Sequence, residues 1–140
     1  MPAPLPRDPT KRMPDIQVFG LDGSPATRAA QRFFRERRVA VSYVDLRKRQ
    51  LAPAELRRFV ERLGARALID ETSKAYRDAG LGYLTMTDAE IVDRLARDAR
   101  LLRLPLVRHG NEVTAGPAEP VWTAWLAAFK AGRSGAPARR

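Results

Sequence analysis

A short apolar strand that turns through two glycines into a helix, within residues 16–30, constrains the fold of this chain more than any other feature. The strand formers end at Gly20, and Gly20 and Gly23 bracket a tight loop. Ser24 is a candidate N-cap, and Pro25 stands where the first helical residue would be. Because a helix N-terminus presents backbone N–H groups that lack helical partners, we expect this loop to favour an anion or a thiolate.

The apolar patterns that follow predict a second strand and a group of helices. The first helix keeps its buried face to about residue 38, and residues 40–46 are apolar on both faces, as in a covered central strand. One helix between two strands implies a parallel, right-handed crossover. A helix opens at Pro53, and a capping box at residues 87–90 starts another that carries apolar residues to Leu102.

The C-terminal half predicts a β-hairpin and a closing helix. Pro105 must start its strand because it has no N–H for the ladder, and the hairpin turns at residues 109–111. The last helix carries Trp122 and Trp125 on one apolar face, which we interpret as core. The order βαβ, helical insertion, ββα predicts an α/β fold with a mixed four-stranded sheet. Its predicted boundaries are a disordered tail at 1–14, a domain at 15–131 with the insertion at about 52–103, and a flexible basic tail at 132–140.

The composition excludes several kinds of chemistry. The chain of 140 residues has no cysteine and one histidine, so it offers no thiol, no disulfide and no metal centre built from His and Cys ligands. Its net charge is +10, but the arginines are scattered among acidic residues, so we interpret them as a solvated surface and nucleic-acid binding as unlikely. No apolar run approaches membrane-spanning length, and no signal-like segment begins the chain, so we expect a cytoplasmic protein without a membrane partner.

Four segments, in order, carry a family resemblance: residues 19–28 (FGLDGSPATR), 44–46 (VDL), 68–76 (LIDETSKAY) and 100–107 (RLLRLPLV), the last followed by Gly116 and Trp122. Together they resemble the arsenate reductase (ArsC)/Spx family of the thioredoxin superfamily. The resemblance implies a thioredoxin-like fold over about residues 16–126, with Pro105 in the cis form beside the loop. It also implies a catalytic Cys at the loop.

The departures from the family pattern decide which residues could still act. Ser24 stands where the family's nucleophilic Cys would be, and a hydroxyl is neither ionised by one helix end nor able to form a disulfide with glutathione. We therefore predict no catalytic residue. Leu104 replaces an Arg that arsenate reductases place before the Pro, and Glu71 and Thr72 lie near where the Arg of the insertion would be. The remaining candidates for an anion or thiol site are Ser24, Thr27 (where a second Cys can stand), Arg28, Pro105 and Arg108, with Arg103 as a further basic residue.

Two functions from different classes follow. The first is a redox-inactive binding or regulatory module with no cofactor, and because some family members act by binding RNA polymerase, a protein partner in the transcription machinery is implied. The alternative is an arsenate-reductase-like or glutaredoxin-like oxidoreductase in which glutathione supplies the only thiol. A serine nucleophile would need a base, and His109, the only histidine, is predicted to be exposed in the hairpin turn. We therefore interpret Ser24 as a helix cap.

Overall fold

The computed structural model describes residues 15–133, which form one α/β unit. Within these residues the strands are β1 (Ile16–Gly20), β2 (Ser42–Asp45), β3 (Leu106–His109) and β4 (Glu112–Ala115), and the helices are α1 (Pro25–Glu36), α2 (Pro53–Leu63), α3 (Ala65–Leu68), α4 (Lys74–Asp78), α5 (Asp88–Arg97) and α6 (Glu119–Arg133). The predicted tail at 1–14 and the end of the chain after residue 133 lie outside the described residues. Helix α6 continues two residues past the boundary predicted at 131. No helix in the described range is long and apolar enough to cross a membrane.

The four strands form one mixed sheet in the order β2-β1-β3-β4, which confirms the predicted architecture. Strand β1 is parallel to β2 and antiparallel to β3, and β3 pairs with β4 in the predicted hairpin. The prediction that β2 is a central strand was wrong, because β1 takes that place and β2 lies at the edge. Apolar residues on both faces of a strand indicate that helices cover the sheet above and below it. They do not indicate whether another strand pairs with each of its two edges.

Helical layers cover both faces of the sheet. On one face, α1 and α6 bury Phe33, Phe34, Trp122 and Trp125 against the sheet, which confirms the tryptophans as core. On the other face, the helices between β2 and β3 build a second cluster around Phe59. Each fully buried large apolar side chain contributes about 1.5–3 kcal/mol of transfer free energy, so these two clusters hold the layers to the sheet.

Helix α1 ends with an arginine in a conformation that usually belongs to glycine. The Val39 N–H donates to Phe34 O at 2.9 Å and the Arg38 N–H donates to Arg35 O at 2.9 Å, which is the bonding of a Schellman motif. Arg38 occupies the left-handed position of this motif with φ of 60°. A residue with a Cβ atom is strained there.

Helix α5 starts at the predicted capping box but ends earlier than predicted. Thr87 and Glu90 exchange side-chain and backbone hydrogen bonds at its N-terminus. Its last residue is Arg97, and Asp98 then adopts an extended conformation and caps a short 3-10 turn over Ala99–Leu101. The prediction of one helix continuing to Leu102 was wrong, because the Asp98 side chain binds the backbone N–H of Arg100 and so stabilises a new turn.

Candidate functional site

The loop between β1 and α1 is closed by Ser24, which is the N-cap of the helix as predicted. Its Oγ accepts the backbone N–H of Thr27 at 3.1 Å, and its own N–H donates to Leu21 O at 2.9 Å. Pro25 takes the first helical position, as predicted. The Ser24 hydroxyl is therefore part of the helix cap.

This cap leaves few backbone donors for a ligand. A helix normally presents four N–H groups without helical partners at its N-terminus. Here the N–H groups of Ser24 and Thr27 are bound within the loop and Pro25 has none, so Ala26 carries the one that remains of these four. The expectation of several free N–H groups at this loop is therefore corrected, because the Ser24 side chain binds one, the Leu21 carbonyl binds another and Pro25 has none.

Thr27 lies under the loop rather than in it. Its side chain is fully buried against Gly20, and its Oγ1 has no hydrogen-bond partner. A Cβ atom added at Gly20 would lie 2.5 Å from Oγ1, so only glycine fits where the end of β1 crosses the first turn of α1. The hydroxyl of Thr27 therefore faces the interior. Thr27 was predicted to contact an anion or thiol at the loop, and the structure does not place it where it could do so.

A cleft of about 630 Å³ opens in front of the cap. It is bounded on one side by the loop and the start of α1, and on the other by the segment between α3 and α4, the start of α4 and the residues that follow α5. Its lining residues are Leu21, Gly23, Ser24, Pro25, Ala26, Asp70, Lys74, Arg100, Leu102 and Leu104. An apolar floor with two cations and one carboxylate suits a small zwitterion or an organic anion.

An isolated antiparallel bridge between Ile69 and Leu102 brings the charged residues of the cleft together. Asp70 follows Ile69 and Arg100 precedes Leu102 by two residues, and the Asp70 N–H donates to Leu101 O at 2.8 Å. Helix α4 then begins with Lys74, after Ser73 caps its first turn. The segment that leads into α4 and the segment that follows α5 thus place an acidic and two basic side chains opposite Ser24.

Both cations of the cleft are held in ion pairs. Arg100 binds Asp98 through two hydrogen bonds of 2.9 Å, and these raise the pKa of the guanidinium and lower the pKa of the Asp98 carboxyl. Lys74 Nζ donates to Asp78 Oδ2 at 2.6 Å, which lowers the pKa of that carboxyl. These shifts keep both carboxylates and the Arg100 guanidinium charged at neutral pH. An anion in the cleft must therefore share the cations with carboxylates that already hold them.

The other predicted site residues divide between the loop and the rest of the fold. Arg28 is exposed and donates from Nη1 to the loop carbonyl of Asp22 at 2.9 Å, so its charge stays at the loop. Pro105 is buried and follows a cis peptide bond, as the resemblance implied, and its neighbour Leu104 lines the cleft. Arg103 is exposed and lies outside the lining of the cleft.

Arg108 lies away from the loop, which corrects its place among the candidates. It pairs with Gln17 in the middle of the sheet, binds the side-chain oxygen of that residue, and forms an ion pair of 2.9 Å with Glu55. The reason is the register of β3, whose first residue, Leu106, lies beside Phe19 at the loop end of β1. Two residues further along β3, Arg108 has moved away from that end.

No histidine base is available to Ser24. His109 pairs with Ile16 at the start of β1, whereas the loop follows the other end of that strand. It is the last residue of β3, half-buried, and its ring lies 5.4 Å from the ring of Trp125, so the expectation of an exposed turn residue was wrong. Among residues 15–133, no group of three or more His, Asp or Glu side chains could hold a metal ion.

The sequence did not single out Lys74 or Arg100. Lys74 belongs to the 68–76 segment and Arg100 opens the 100–107 segment, so both lay within the family resemblance. The signal that could have found them is the pairing of two apolar dipeptides, Leu68–Ile69 and Leu101–Leu102, each flanked by charge. Their pairing is a long-range contact, which no local pattern predicts.

Comparison with known families decides the affiliation of this scaffold. The model of the ArsC family matches residues 22–124. The chain belongs to the ArsC family. A comparison with curated protein sequences finds no match.

Solved structures of ArsC-related proteins share the fold of this ArsC-family chain. An arsenate reductase from Vibrio cholerae is 18% identical with a TM-score of 0.69, and the alignment covers 80% of this chain and 98% of that one. A protein related to the ArsC family from Bacteroides fragilis is 18% identical with a TM-score of 0.71, covering 79% and 96%. The YFFB protein is 14% identical with a TM-score of 0.72, covering 78% and 96%. At such identities the likeness shows the thioredoxin-like fold alone.

Proposed function

We propose that this protein is a redox-inactive ArsC-family member that acts in the cytoplasm as a binding or regulatory module. One observation carries the proposal: a hydroxyl stands at the N-cap of α1, bonded to the Thr27 N–H at 3.1 Å, in a chain that has no cysteine. By analogy with Spx-like members, its partner would be a protein of the transcription machinery.

The chemistry of arsenate reduction explains why the hydroxyl matters. The reaction consumes two electrons, which thiols supply when two sulfur atoms join in a disulfide. A helix N-terminus can lower the pKa of a cysteine, about 8.5 when free, so that the thiolate forms at neutral pH. It cannot do the same for an alcohol, and the structure gives Ser24 no histidine partner that could act as its base. Ser24 therefore stabilises the start of α1 but cannot supply the electrons that arsenate reduction needs.

The charged cleft favours a second candidate function. Lys74 and Arg100 face the cap across the cleft, and glutathione carries two carboxylates as well as a thiol. In an arsenate-reductase-like or glutaredoxin-like oxidoreductase of this kind, the protein would position glutathione and glutathione would be the only thiol. The electrostatic contribution of such a site is modest, because both cations already pair with carboxylates.

A reductase assay tests the first proposal. We expect the purified protein with glutathione, glutaredoxin and arsenate to show the same turnover as a blank without protein. Turnover above the blank that disappears in Ser24→Ala would overturn the proposal. Calorimetric titration with glutathione, arsenate and phosphate tests the alternative, which fails if none of them binds at millimolar concentration.

A cysteine placed at the cap tests whether the loop keeps a geometry able to activate sulfur. We expect the thiol of Ser24→Cys to titrate below the value of about 8.5 for a free cysteine. A cysteine at exposed Gly23, one residue before the cap, is the matched control and is expected to titrate near the free value. Equal pKa values in the two variants would mean that the helix end does not act on this position.

A further inference from the structure

The outer edge of β2 is an open strand edge. The Leu46 N–H donates to Gly20 O at 2.9 Å, so the backbone of residue 46 faces β1. Because the direction alternates along a strand, Val44 and Ser42 also face β1, while Tyr43 and Val41 direct their N–H and C=O groups outward. Among the described elements, β1 is the partner of β2 in the sheet, and none lies beyond its outer edge.

A groove of about 450 Å³ lies between this edge and α1. Its floor consists of Val39, Val41 and Tyr43, which alternate along the chain and pack against the core on the α1 side of the sheet. The Tyr43 hydroxyl donates to Asp22 at 2.8 Å, so the ring is fixed and its polar end is satisfied. Apolar side chains of an added strand could pack on this floor.

Basic residues border the groove. Arg35 and Arg38 line it, and Arg32 is exposed on α1 about one turn before Arg35. None of the ion pairs found within residues 15–133 includes any of the three. This border is therefore positive and free to pair with carboxylates from outside.

The strained backbone at Arg38 supports a role for this border. Glycine fits the left-handed position at the end of α1 without strain, and an arginine there costs stability. Strain of this kind persists at functional sites, where the side chain does something that the relaxed residue could not. Here the strained position places a guanidinium beside the open edge.

We propose that β2 binds an extended acidic segment of a partner protein, which adds to the sheet as a fifth strand. Its backbone would bond to Val41 and Tyr43. On the face of the added strand that is turned towards α1, apolar side chains would pack in the groove, and carboxylates two residues along from them would pair with Arg35 and Arg38. A second copy of this chain would place like charges against each other across the edge. The apolar floor and the strand edge favour a peptide over a nucleic acid. This proposal holds whether or not the cleft has redox activity, so the reductase assay and the following test can fail separately.

The test uses a fluorescent peptide with the repeat Asp-Thr-Val-Thr, which places aspartate and valine in turn on one face of a strand, with the full-length protein at physiological ionic strength. We expect saturable binding by anisotropy, with amide chemical-shift changes centred on Val41 and Tyr43. A peptide with lysine in place of aspartate should not bind. Methylation of alternate backbone nitrogens, which removes donors from one edge of the peptide, should weaken binding by about tenfold.

Two protein variants distinguish binding in the groove from non-specific attraction by the positive charge of the protein. Arg38→Gly relaxes the left-handed position, so it should fold with equal or greater stability and still weaken binding by about tenfold. Arg57→Gly removes the same charge from exposed α2, on the other face of the sheet, and should change affinity by less than about twofold. The proposal is overturned if both variants weaken binding equally or if the methylated peptide binds as well as its parent. It is also overturned if single-stranded RNA displaces the labelled peptide at a lower concentration than the unlabelled peptide does, or if the protein dimerises through β2.

Discussion

The buried hydroxyl of Thr27 gives the sharpest test of the site geometry. Thr27 is fully buried, and its Oγ1 has no hydrogen-bond partner. Burying a polar group without a partner costs about 1–3 kcal/mol, so Thr27→Val should raise the free energy of unfolding by about 1 kcal/mol. Valine keeps the branched Cβ and nearly the same volume, and the intrinsic helix propensities of the two residues differ by about 0.3 kcal/mol or less.

Thr114 provides the matched control, because the same substitution there should have the opposite sign. Its side chain is also buried, but its Oγ1 accepts the indole N–H of Trp122 at 2.9 Å. Thr114→Val would leave that N–H unpaired inside the core and should lower the free energy of unfolding by about 1–3 kcal/mol.

Equilibrium denaturation in urea measures both values, and thermal melting provides a second readout. At this chain length, 1 kcal/mol corresponds to a shift in Tm of about 3 °C. An unchanged m-value would show that the variants differ in stability rather than in the extent of unfolding. A loss of about 1 kcal/mol or more in Thr27→Val would mean that the hydroxyl is hydrogen-bonded, and our exclusion of Thr27 from the cleft would be refuted.

Two further predictions concern the ends of β1 and β2. Gly20→Ala should lower the free energy of unfolding by about 1–3 kcal/mol, because its Cβ would meet Thr27 at 2.5 Å, whereas Gly23→Ala, with nothing within 4 Å, should be nearly neutral in the same denaturation assay. Burial, followed by the hydrogen bond and charge of Asp22, raises the pKa of Tyr43 above its usual 10.0, so the stability it contributes is complete below about pH 10 and is lost as pH rises towards the folded-state pKa. The free energy of unfolding should therefore fall more steeply with pH above pH 10 in the parent protein than in Tyr43→Phe. Equal slopes would contradict the raised pKa of Tyr43.

Features that depend on a few consecutive residues were predictable from the sequence. The N-cap at Ser24, the capping box at Thr87 and the hairpin after His109 each follow from local hydrogen bonding or turn chemistry. Pro105 was predicted at the start of its strand because it lacks an N–H, and β3 begins one residue later, at Leu106. The family resemblance added the cis form of its peptide bond and the thioredoxin-like topology.

Features that depend on distant pairing were not predictable in the same way. The position of β2 at the sheet edge depends on β3 choosing the other side of β1, across more than half of the chain. The meeting of Lys74 and Arg100 depends on the bridge between Ile69 and Leu102. Arg108 was misplaced for a related reason, since its distance from the loop is set by the register of β3 against β1.

The residue at position 24 links the stability of this scaffold to its chemistry. A serine at an N-cap is worth about 1 kcal/mol over alanine because its oxygen accepts a backbone N–H. A sulfur atom is a weak acceptor, so a cysteine cap would leave that N–H available to a bound oxyanion. The 3.1 Å bond from Thr27 to Ser24 therefore has two effects. It stabilises the start of α1, and it withdraws a donor from the cleft, so even a sulfur restored elsewhere in the loop would face a weaker anion site.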